Sequence, residues 1–147
     1  MLGELAAGGG VPPAGGVVHS FTGTRAELDA LLAVPGLYVG LNGCGLKTAE
    51  NCAVAARIPL GRLLLETDAP WCALKAASPA AAHVRTRWPA AKRGGALEPG
   101  ALVRDRTEPC TVVQVAEAYA GLAGIALAAV AAAAEANADA LFWPPRP

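Results

Sequence analysis

The stretch RLLLETDAP, residues 62–70, gives the clearest indication of the fold. Its apolar run, Leu63 to Leu65, does not alternate with polar residues, which is typical of a strand covered by protein on both faces of a parallel sheet. Two carboxylates, those of Glu66 and Asp68, follow this run directly. We therefore predict a buried strand over residues 62–66 with two acidic side chains at its carboxyl end.

Two similar runs precede this strand. VVHSFT at residues 17–22 and LYVGL at residues 37–41 are rich in β-branched and aromatic residues, and a glycine or asparagine follows each. The three runs start at residues 17, 37 and 62, so the starts differ by 20 and 25 residues, which is the spacing of β/α units and not of hairpins. The pattern predicts an α/β fold with a three-stranded parallel sheet.

Helix signals occupy the intervals between the strands and the end of the chain. The spacing of Thr24 and Glu27 fits a capping box, which predicts a helix that begins there. Further helices are predicted over residues 48–58 and 127–141. Thr107 is predicted as the N-cap of a helix that continues to residue 121, because an acidic residue and a proline follow it.

Composition narrows the class of protein. The chain has 147 residues, of which 54% are hydrophobic and 16% charged, and this balance disfavours disorder. The 12 basic and 12 acidic residues cancel, so the overall field attracts neither nucleic acid nor an anionic membrane. The longest apolar run has 13 residues, short of the roughly 18 of a membrane span, and no secretory signal is recognisable. We expect a soluble cytoplasmic or nuclear protein whose four cysteines are reduced.

The domain organisation follows from proline and glycine content. We predict a flexible lead at residues 1–16, one domain at residues 17–142 and a tail at residues 143–147. Within the domain, residues 67–106 are predicted as a long irregular loop, because prolines interrupt them repeatedly.

Three side chains that could bind a metal or transfer a proton lie at or near the carboxyl ends of the predicted strands. Glu66 and Asp68 are two residues apart and point to one face, so they repel each other unless a cation or a shared proton relieves them. A turn-forming Asp68 with a solvated or Arg-paired Glu66 is an equally good interpretation. His19 lies in the first strand and is either a metal ligand or a hydrogen-bonded core histidine. Its position at the same sheet edge as Asp68 favours a site.

The motifs at these strands resemble those of one known family. GVVHSFTG at residues 16–23, YVGLNG at residues 38–43 and LLLETDAPW at residues 63–71 are similar, in order and spacing, to the last three strand motifs of the TatD family of metal-dependent deoxyribonucleases. RDRTEPC at residues 104–110 resembles the R-N-E-P-C segment of that family, with Thr107 in place of asparagine. The long loop before this segment suggests the eukaryotic-type branch.

The resemblance implies a fold and an activity. The fold would be a partial TIM-type (β/α)8 barrel of the metal-dependent hydrolase superfamily, covering the last three β/α units and the C-terminal helices. The activity would be hydrolysis of phosphodiester bonds in DNA by a 3′–5′ exonuclease, with one or two divalent cations (Mg, Mn or Zn) as cofactors. No membrane partner is implied.

The resemblance also implies roles for individual residues. His19 and Asp68 would be metal ligands, and Asp68 would in addition orient or deprotonate the attacking water. Glu66 would support catalysis at the same site. Arg106 would contact a substrate phosphate, although a salt bridge at a helix start is at least as good an interpretation.

The chain also departs from the family pattern. The family carries an H-x-H pair, a glutamate and a further histidine on earlier strands, and this chain has only two histidines, His19 and His83, the second predicted at the surface. We therefore expect a truncated form or fragment of a longer enzyme, with weak metal binding and little or no activity as an isolated chain. An open sheet edge would favour self-association or pairing with another chain.

A second function is consistent with the same residues. The chain would then be a catalytically dead remnant that acts as a nucleic-acid-binding or oligomerising module. The basic segment 85–93, which includes Trp88, could contact phosphates and stack on a base. A solvated loop is the alternative interpretation of that segment, and the zero net charge favours it.

Overall fold

Three parallel strands form the centre of the fold. The computed structural model describes residues 15–91, 94–96, 99–104 and 106–144. Strands β1 (Gly16–Val18), β2 (Leu37–Leu41) and β3 (Leu63–Leu65) pair in the order β1-β2-β3, all parallel. The parallel α/β sheet predicted from the strand spacing is confirmed. Most of the predicted lead, the end of the tail, and Lys92, Arg93 and Asp105 lie outside the described residues.

Strand β1 is shorter than the sequence predicted. We expected a strand to residue 22, but the ladder ends at Val18 because Ser20 adopts a left-handed conformation with φ 54°. The chain then rejoins β2 through one hydrogen bond, from the Phe21 amide to the Gly40 carbonyl at 3.0 Å. This turn lifts His19 out of the sheet at its carboxyl end. Strand β3 likewise covers Leu63–Leu65 and not 62–66, because a 3₁₀ turn at Leu60–Arg62 precedes it.

Two α-helices connect the three strands, and two more follow them in the chain. The helix α1 spans Arg25–Leu32, α2 spans Ala49–Ala55, α3 spans Val112–Ala123 and α4 spans Leu127–Phe142. The predicted capping box is confirmed: the Thr24 hydroxyl accepts from the Glu27 amide, and the Glu27 carboxylate accepts from the Thr24 amide at 2.6 Å. Thr48 caps α2 through its hydroxyl, which accepts from the Asn51 amide at 3.1 Å.

Thr107 does not cap a helix, so that prediction was wrong. Pro109 begins a 3₁₀ turn, Pro109–Thr111, and α3 starts only at Val112, which leaves Thr107 too far from the first free amides of the helix. The Thr107 amide instead donates to the Pro70 carbonyl at 3.1 Å. Its buried hydroxyl has no hydrogen-bond partner among the described residues.

The predicted irregular segment contains short regular elements. A 3₁₀ turn spans Pro79–His83, and two short strands, β4 (Ala90–Ala91) and β5 (Leu102–Val103), pair in parallel. Glu117 of α3 binds the segment between the 3₁₀ turn and β4. Its carboxylate accepts from the Arg85 amide at 2.9 Å and from the Thr86 hydroxyl at 2.6 Å. The loop is thereby attached to the helical layer.

The core lies between the sheet and the helices. Val39, Leu41 and Leu63 of the sheet are buried against helical and loop side chains, among them Leu28, Leu31, Leu46, Ile58, Tyr119 and Val130. Asn137 of α4 donates to the carbonyls of Leu60 and Leu63 at 2.7 and 2.8 Å, which ties α4 to the start of β3. The strands that carry the candidate site residues at their carboxyl ends are therefore packed against an apolar core.

The length and hydropathy of the helices bear on whether one of them could cross a membrane. Within the described ranges no individual helix is long and apolar enough to cross a bilayer, and only the pair Pro109–Ala123 and Leu127–Phe142, bent by 117°, passes by length and composition.

The Glu117 contacts give a prediction for stability against pH. Desolvation acts to raise the pKa of Glu117, but hydrogen bonds from Thr86 and Arg85 outweigh it, and the net pKa is lowered from 4.5. A lowered pKa in the folded state means that the carboxylate stabilises the fold above the unfolded-state value and loses this contribution as pH falls through the folded value. We expect Glu117→Gln to cost about 1–3 kcal/mol of unfolding free energy at pH 7 and much less near pH 3.

Urea denaturation at both pH values measures this difference. Glu135→Gln, at an exposed position of α4, is the matched control and should be neutral at both. A cost at Glu117 that is the same at pH 7 and pH 3 would contradict the assignment.

Candidate metal centre

Three titratable side chains meet at the carboxyl end of the sheet. Those of His19, Glu66 and Asp68 each offer a ligand atom, and these atoms all lie within 4.8 Å of one another. His19 follows β1, while Glu66 and Asp68 follow β3, so the cluster spans β2 from one side to the other. The imidazole is 63% exposed and the two carboxylates about one-fifth exposed. The centre is therefore open to solvent and to a large ligand.

Glu66 fixes the orientation of His19. One oxygen of its carboxylate, Oε2, lies 2.6 Å from His19 Nδ1, and the other, Oε1, accepts from the Ser20 amide at 2.6 Å. Because a carboxylate only accepts, this contact places the imidazole hydrogen on Nδ1. The lone pair of Nε2 then points away from Glu66.

Nε2 of His19 faces a second carboxylate. The distance from Nε2 to Asp68 Oδ1 is 3.1 Å. In the neutral imidazole with its hydrogen on Nδ1, both of these atoms are acceptors, so they repel unless a proton or a cation lies between them. One imidazole nitrogen and carboxylate oxygens form a donor set that suits Mg²⁺, Mn²⁺ or Zn²⁺. The residues present therefore fit a divalent cation.

Asn42 connects the cluster to the middle strand, and the sequence reading missed it. This fully buried side chain donates from Nδ2 to Asp68 Oδ2 at 2.9 Å and to the Ser20 hydroxyl at 2.7 Å. Its Oδ1 accepts from the Cys44 amide at 2.9 Å. In the sequence, Asn42 indicates only the end of a strand. Its position at the end of the middle strand, between the ends of β1 and β3, could have indicated that it belongs to the site.

Cys72 and Cys44 flank the cluster on the side of Asp68. Cys72 Sγ lies 3.5 Å from Asp68 Oδ2 and 2.7 Å from Cys44 Sγ. Burial, together with Cys44 and Asp68, raises the pKa of the Cys72 thiol to about 12. All four cysteines are free. The Cys72 thiol is thus neutral at physiological pH and adds no charge to the centre.

The remaining candidate residue and the second histidine lie elsewhere. Arg106 is exposed and lines a pocket with Lys75, Arg87 and Arg104 instead of joining the cluster. His83 is exposed, as predicted, and lies against Gly121 of α3. The structure therefore brings together His19, Glu66 and Asp68, and it separates Arg106 from them.

Gly40 makes room for the Glu66 carboxylate. A Cβ at residue 40 would lie 2.7 Å from Glu66 Oε2, closer than such atoms approach in proteins. Gly40→Ala should push the carboxylate away from His19 Nδ1 while leaving the sheet intact. We expect metal affinity to fall roughly 10- to 100-fold, the usual effect of losing the group that orients a ligand histidine. Isothermal titration with Mn²⁺ measures it.

Gly61→Ala is the matched control for this substitution, because a Cβ at residue 61 meets no atom within 4 Å. Its affinity should equal that of the unsubstituted chain. Unchanged affinity in Gly40→Ala would show that the Glu66–His19 contact does not position the ligand.

Comparison with known protein families agrees with this arrangement. Residues 4–143 match the family described as TatD related DNase. The chain belongs to this family. The resemblance deduced from the strand motifs is therefore confirmed, and the TatD-type members it resembles are hydrolases.

Individual relatives match over most of this chain. It is 45% identical over 117 residues to "Deoxyribonuclease Tat-D" of Schizosaccharomyces pombe, covering 78% of this chain and 37% of that protein. It is 37% identical over 131 residues to "3'-5' ssDNA/RNA exonuclease TatD" of Erwinia billingiae, covering 87% of this chain and 42% of that protein. The chain thus spans about two-fifths of the length of these relatives.

Solved structures show the same fold. An uncharacterised amidohydrolase from Saccharomyces cerevisiae superposes with a TM-score of 0.80 at 34% identity, covering 86% of this chain and 39% of that one. A TatD family hydrolase from Entamoeba histolytica gives 0.81 at 26% identity, covering 88% of this chain and 42% of that one. The α/β arrangement with its parallel sheet is that of the TatD amidohydrolases, which belong to the TIM-barrel superfamily.

Proposed function

We propose that this chain carries part of the active centre of a metal-dependent DNase that hydrolyses phosphodiester bonds from the 3′ end. The observation that carries the proposal is the approach of His19 Nε2 to Asp68 Oδ1 at 3.1 Å, with Nδ1 of the same ring held by Glu66. Two acceptors so placed repel each other unless a cation or a proton lies between them, and we propose the cation. The family membership supplies the reaction class.

Each residue of the cluster would have its own role in the reaction. His19 and Asp68 would hold the cation, which polarises a phosphoryl oxygen and lowers the pKa of bound water when present. Glu66 would keep the His19 ring in its ligating orientation. Asp68 would also orient or deprotonate the attacking water, while Asn42 holds that carboxylate in place.

The donor set bears on how many cations the centre would hold. His19 and Asp68 provide two protein ligands, with Glu66 close behind, so most positions of a six-coordinate ion are left to water and to phosphate oxygens. One Mg²⁺ or Mn²⁺ ion, or a Zn²⁺ ion, is the expected occupant, and a second ion would need further ligands. Such a site binds weakly without substrate.

The extent of the fold is part of the proposal. Three adjacent parallel strands in chain order, connected by helices, would correspond to three successive units of a (β/α)8 barrel. Residues of β1, β3 and the helices α3 and α4 line an apolar cavity of about 670 Å³. We propose that β1 and β3 would each accept a further strand at its outer edge, either from more of a barrel or from a second chain.

A labelled single-stranded oligonucleotide tests the proposed activity. With Mn²⁺ we expect slow release of a 3′ label before a 5′ label, and no release in excess chelator. Asp68→Asn serves as the control for a contaminating nuclease. Release that persists in Asp68→Asn would come from a contaminant or from another site. Release in excess chelator that Asp68→Asn abolishes would contradict the metal dependence of the proposal.

The second candidate function is a nucleic-acid-binding module without catalysis. The basic side chains around Arg106 favour it, since they lie outside the metal centre. Binding of DNA with no metal-dependent release would support it over the enzyme. Either function is compatible with the cytoplasm or the nucleus.

A further inference from the structure

We propose that Cys44 and Cys72 form a redox site, in which hydrogen peroxide joins the two sulfurs in a reversible disulfide next to Asp68. The inference goes beyond the proposed function, because it requires neither a metal nor a nucleic acid. Both thiols are free and partly exposed, and their sulfurs lie 2.7 Å apart although the residues are 28 positions apart in the sequence. A disulfide bond measures about 2.05 Å, so only a small approach of the two sulfurs forms it.

The backbone around the two cysteines also brings them together. A Cβ on Gly43 would collide with the Cys72 carbonyl oxygen and would lie 2.7 Å from the Leu74 amide nitrogen, so the two segments are in direct contact. The Cys44 amide donates to Asn42 Oδ1 at 2.9 Å, which fixes the first of these segments at the end of β2. Because the main chain holds the segments together, the two thiols stay within reach when their side chains rotate.

A small oxidant can reach this pair of thiols. Cys44 and Cys72 line a pocket of about 210 Å³, and Trp71, which also lines it, is 74% exposed, so the pocket opens to solvent. The other two thiols are placed differently: Cys52 is buried, and Cys110 is exposed. Among the described residues, only Cys44 and Cys72 combine exposure with a second thiol within hydrogen-bond distance. The fold therefore selects one pair out of four cysteines.

Hydrogen peroxide accepts the electrons in this step. Its oxygen–oxygen bond breaks as one thiol becomes a sulfenic acid, and one water is released. The second sulfur then attacks the first, the sulfur–sulfur bond forms, and the sulfenic hydroxide leaves with the second thiol hydrogen as another water. The two thiols thereby lose two electrons and two protons, which reduce the peroxide to two waters. A dithiol reductant reverses the change by thiol–disulfide exchange.

The disulfide closes a ring of residues 44–72 that contains Asp68. In the reduced chain, the Cys72 thiol donates to Asp68 Oδ2 at 3.5 Å, and Asn42 donates to the same oxygen at 2.9 Å. Oxidation replaces the thiol contact by a covalent link between the segment after β2 and the segment that carries Asp68. Such a ring lowers the entropy of the unfolded chain, so the oxidised chain should melt about 5–10 °C higher than the reduced chain.

Peptide mapping after oxidation tests the inference. The full chain is treated with hydrogen peroxide in excess chelator, the remaining thiols are blocked with iodoacetamide, and the chain is digested with trypsin. Because each cysteine falls in a different tryptic peptide, mass spectrometry identifies the pairing. We expect peptides 26–47 and 63–75 to be joined, two hydrogens lighter than their sum, and to separate again in dithiothreitol. The peptides of Cys52 and Cys110 should appear unlinked.

Serine variants and thermal melts provide the controls. Cys44→Ser and Cys72→Ser should each abolish both the linked peptide and the rise in Tm, whereas the matched control Cys110→Ser should retain both. Recovery of Cys44 and Cys72 as blocked thiols or sulfonic acids, or their linkage to Cys52 or Cys110, would overturn the inference. A Tm that does not rise on oxidation would overturn it too, by showing that the bond does not fit the native fold. Since the mapping is done in chelator, its outcome is independent of the metal and nuclease assays.

Discussion

Asp68→Asn is expected to lower the affinity of the chain for Mn²⁺ by at least roughly 100-fold, because it removes a charged ligand and leaves a neutral amide of the same shape. The Oδ1 of Asp68 faces His19 Nε2 at 3.1 Å, so the substitution removes the negative charge from the position where the cation would lie. Metal-stimulated hydrolysis, where the chain shows it, should disappear with the affinity. Isothermal titration measures the first effect and label release the second.

The control for this variant is Asp29→Asn. Asp29 is exposed and pairs with Arg25 four residues away on α1, so its loss should change neither metal affinity nor the fold. Circular dichroism should show that Asp68→Asn also remains folded. Metal affinity unchanged by Asp68→Asn would remove Asp68 from the ligand set.

Asn42→Asp is expected to destabilise the metal-free chain by about 3 kcal/mol at pH 7. The substitution keeps the shape but replaces the Nδ2 donor with an acceptor that faces Asp68 Oδ2 at 2.9 Å and Glu66 Oε1 at 3.5 Å. Three carboxylates would then share one partly buried site, and an unpaired buried charge costs several kcal/mol. The cost should shrink on acidification, since protonation restores a donor.

Urea denaturation in chelator at pH 7 and pH 4.5 measures this effect. Asn51→Asp is the matched control: Asn51 lies in the first turn of α2 and is half-buried, where a negative charge is favourable. Its substitution loses the exposed hydrogen bond from Nδ2 to the Thr22 carbonyl at 3.3 Å but gains at the helix start, so the net change should stay within about 1 kcal/mol. If Asn42→Asp is as stable as the unsubstituted chain at pH 7, Asn42 does not hold Asp68 in the way described.

The regular part of the fold was predictable because its signals are local. The apolar runs around Val39 and Leu64 predicted parallel strands, and the Thr24–Glu27 spacing predicted the start of α1. Each depends on neighbours in sequence. The prediction that Thr107 is an N-cap was wrong because it depends on where the helix starts. A 3₁₀ turn at Pro109–Thr111 precedes the helix, which starts only at Val112.

The candidate site was predictable only in its charged members. His19, Glu66 and Asp68 could be placed together because parallel strands end at one sheet edge. The role of Asn42 could not be predicted, because it depends on contacts with Ser20 and Asp68, which are 22 and 26 positions away in the sequence. The space that Gly40 leaves for Glu66 is likewise a property of the packed sheet.

The central claim is that His19 and Asp68 hold a divalent cation, and pulsed electron paramagnetic resonance of the untagged chain with Mn²⁺ tests it most directly. Coupling of Mn²⁺ to a directly bound imidazole nitrogen is visible in such spectra, and the chain has only two histidines. We predict nitrogen coupling that persists in His83→Gln and disappears in His19→Gln. Coupling that survives in His19→Gln, or that disappears in His83→Gln, would contradict the account.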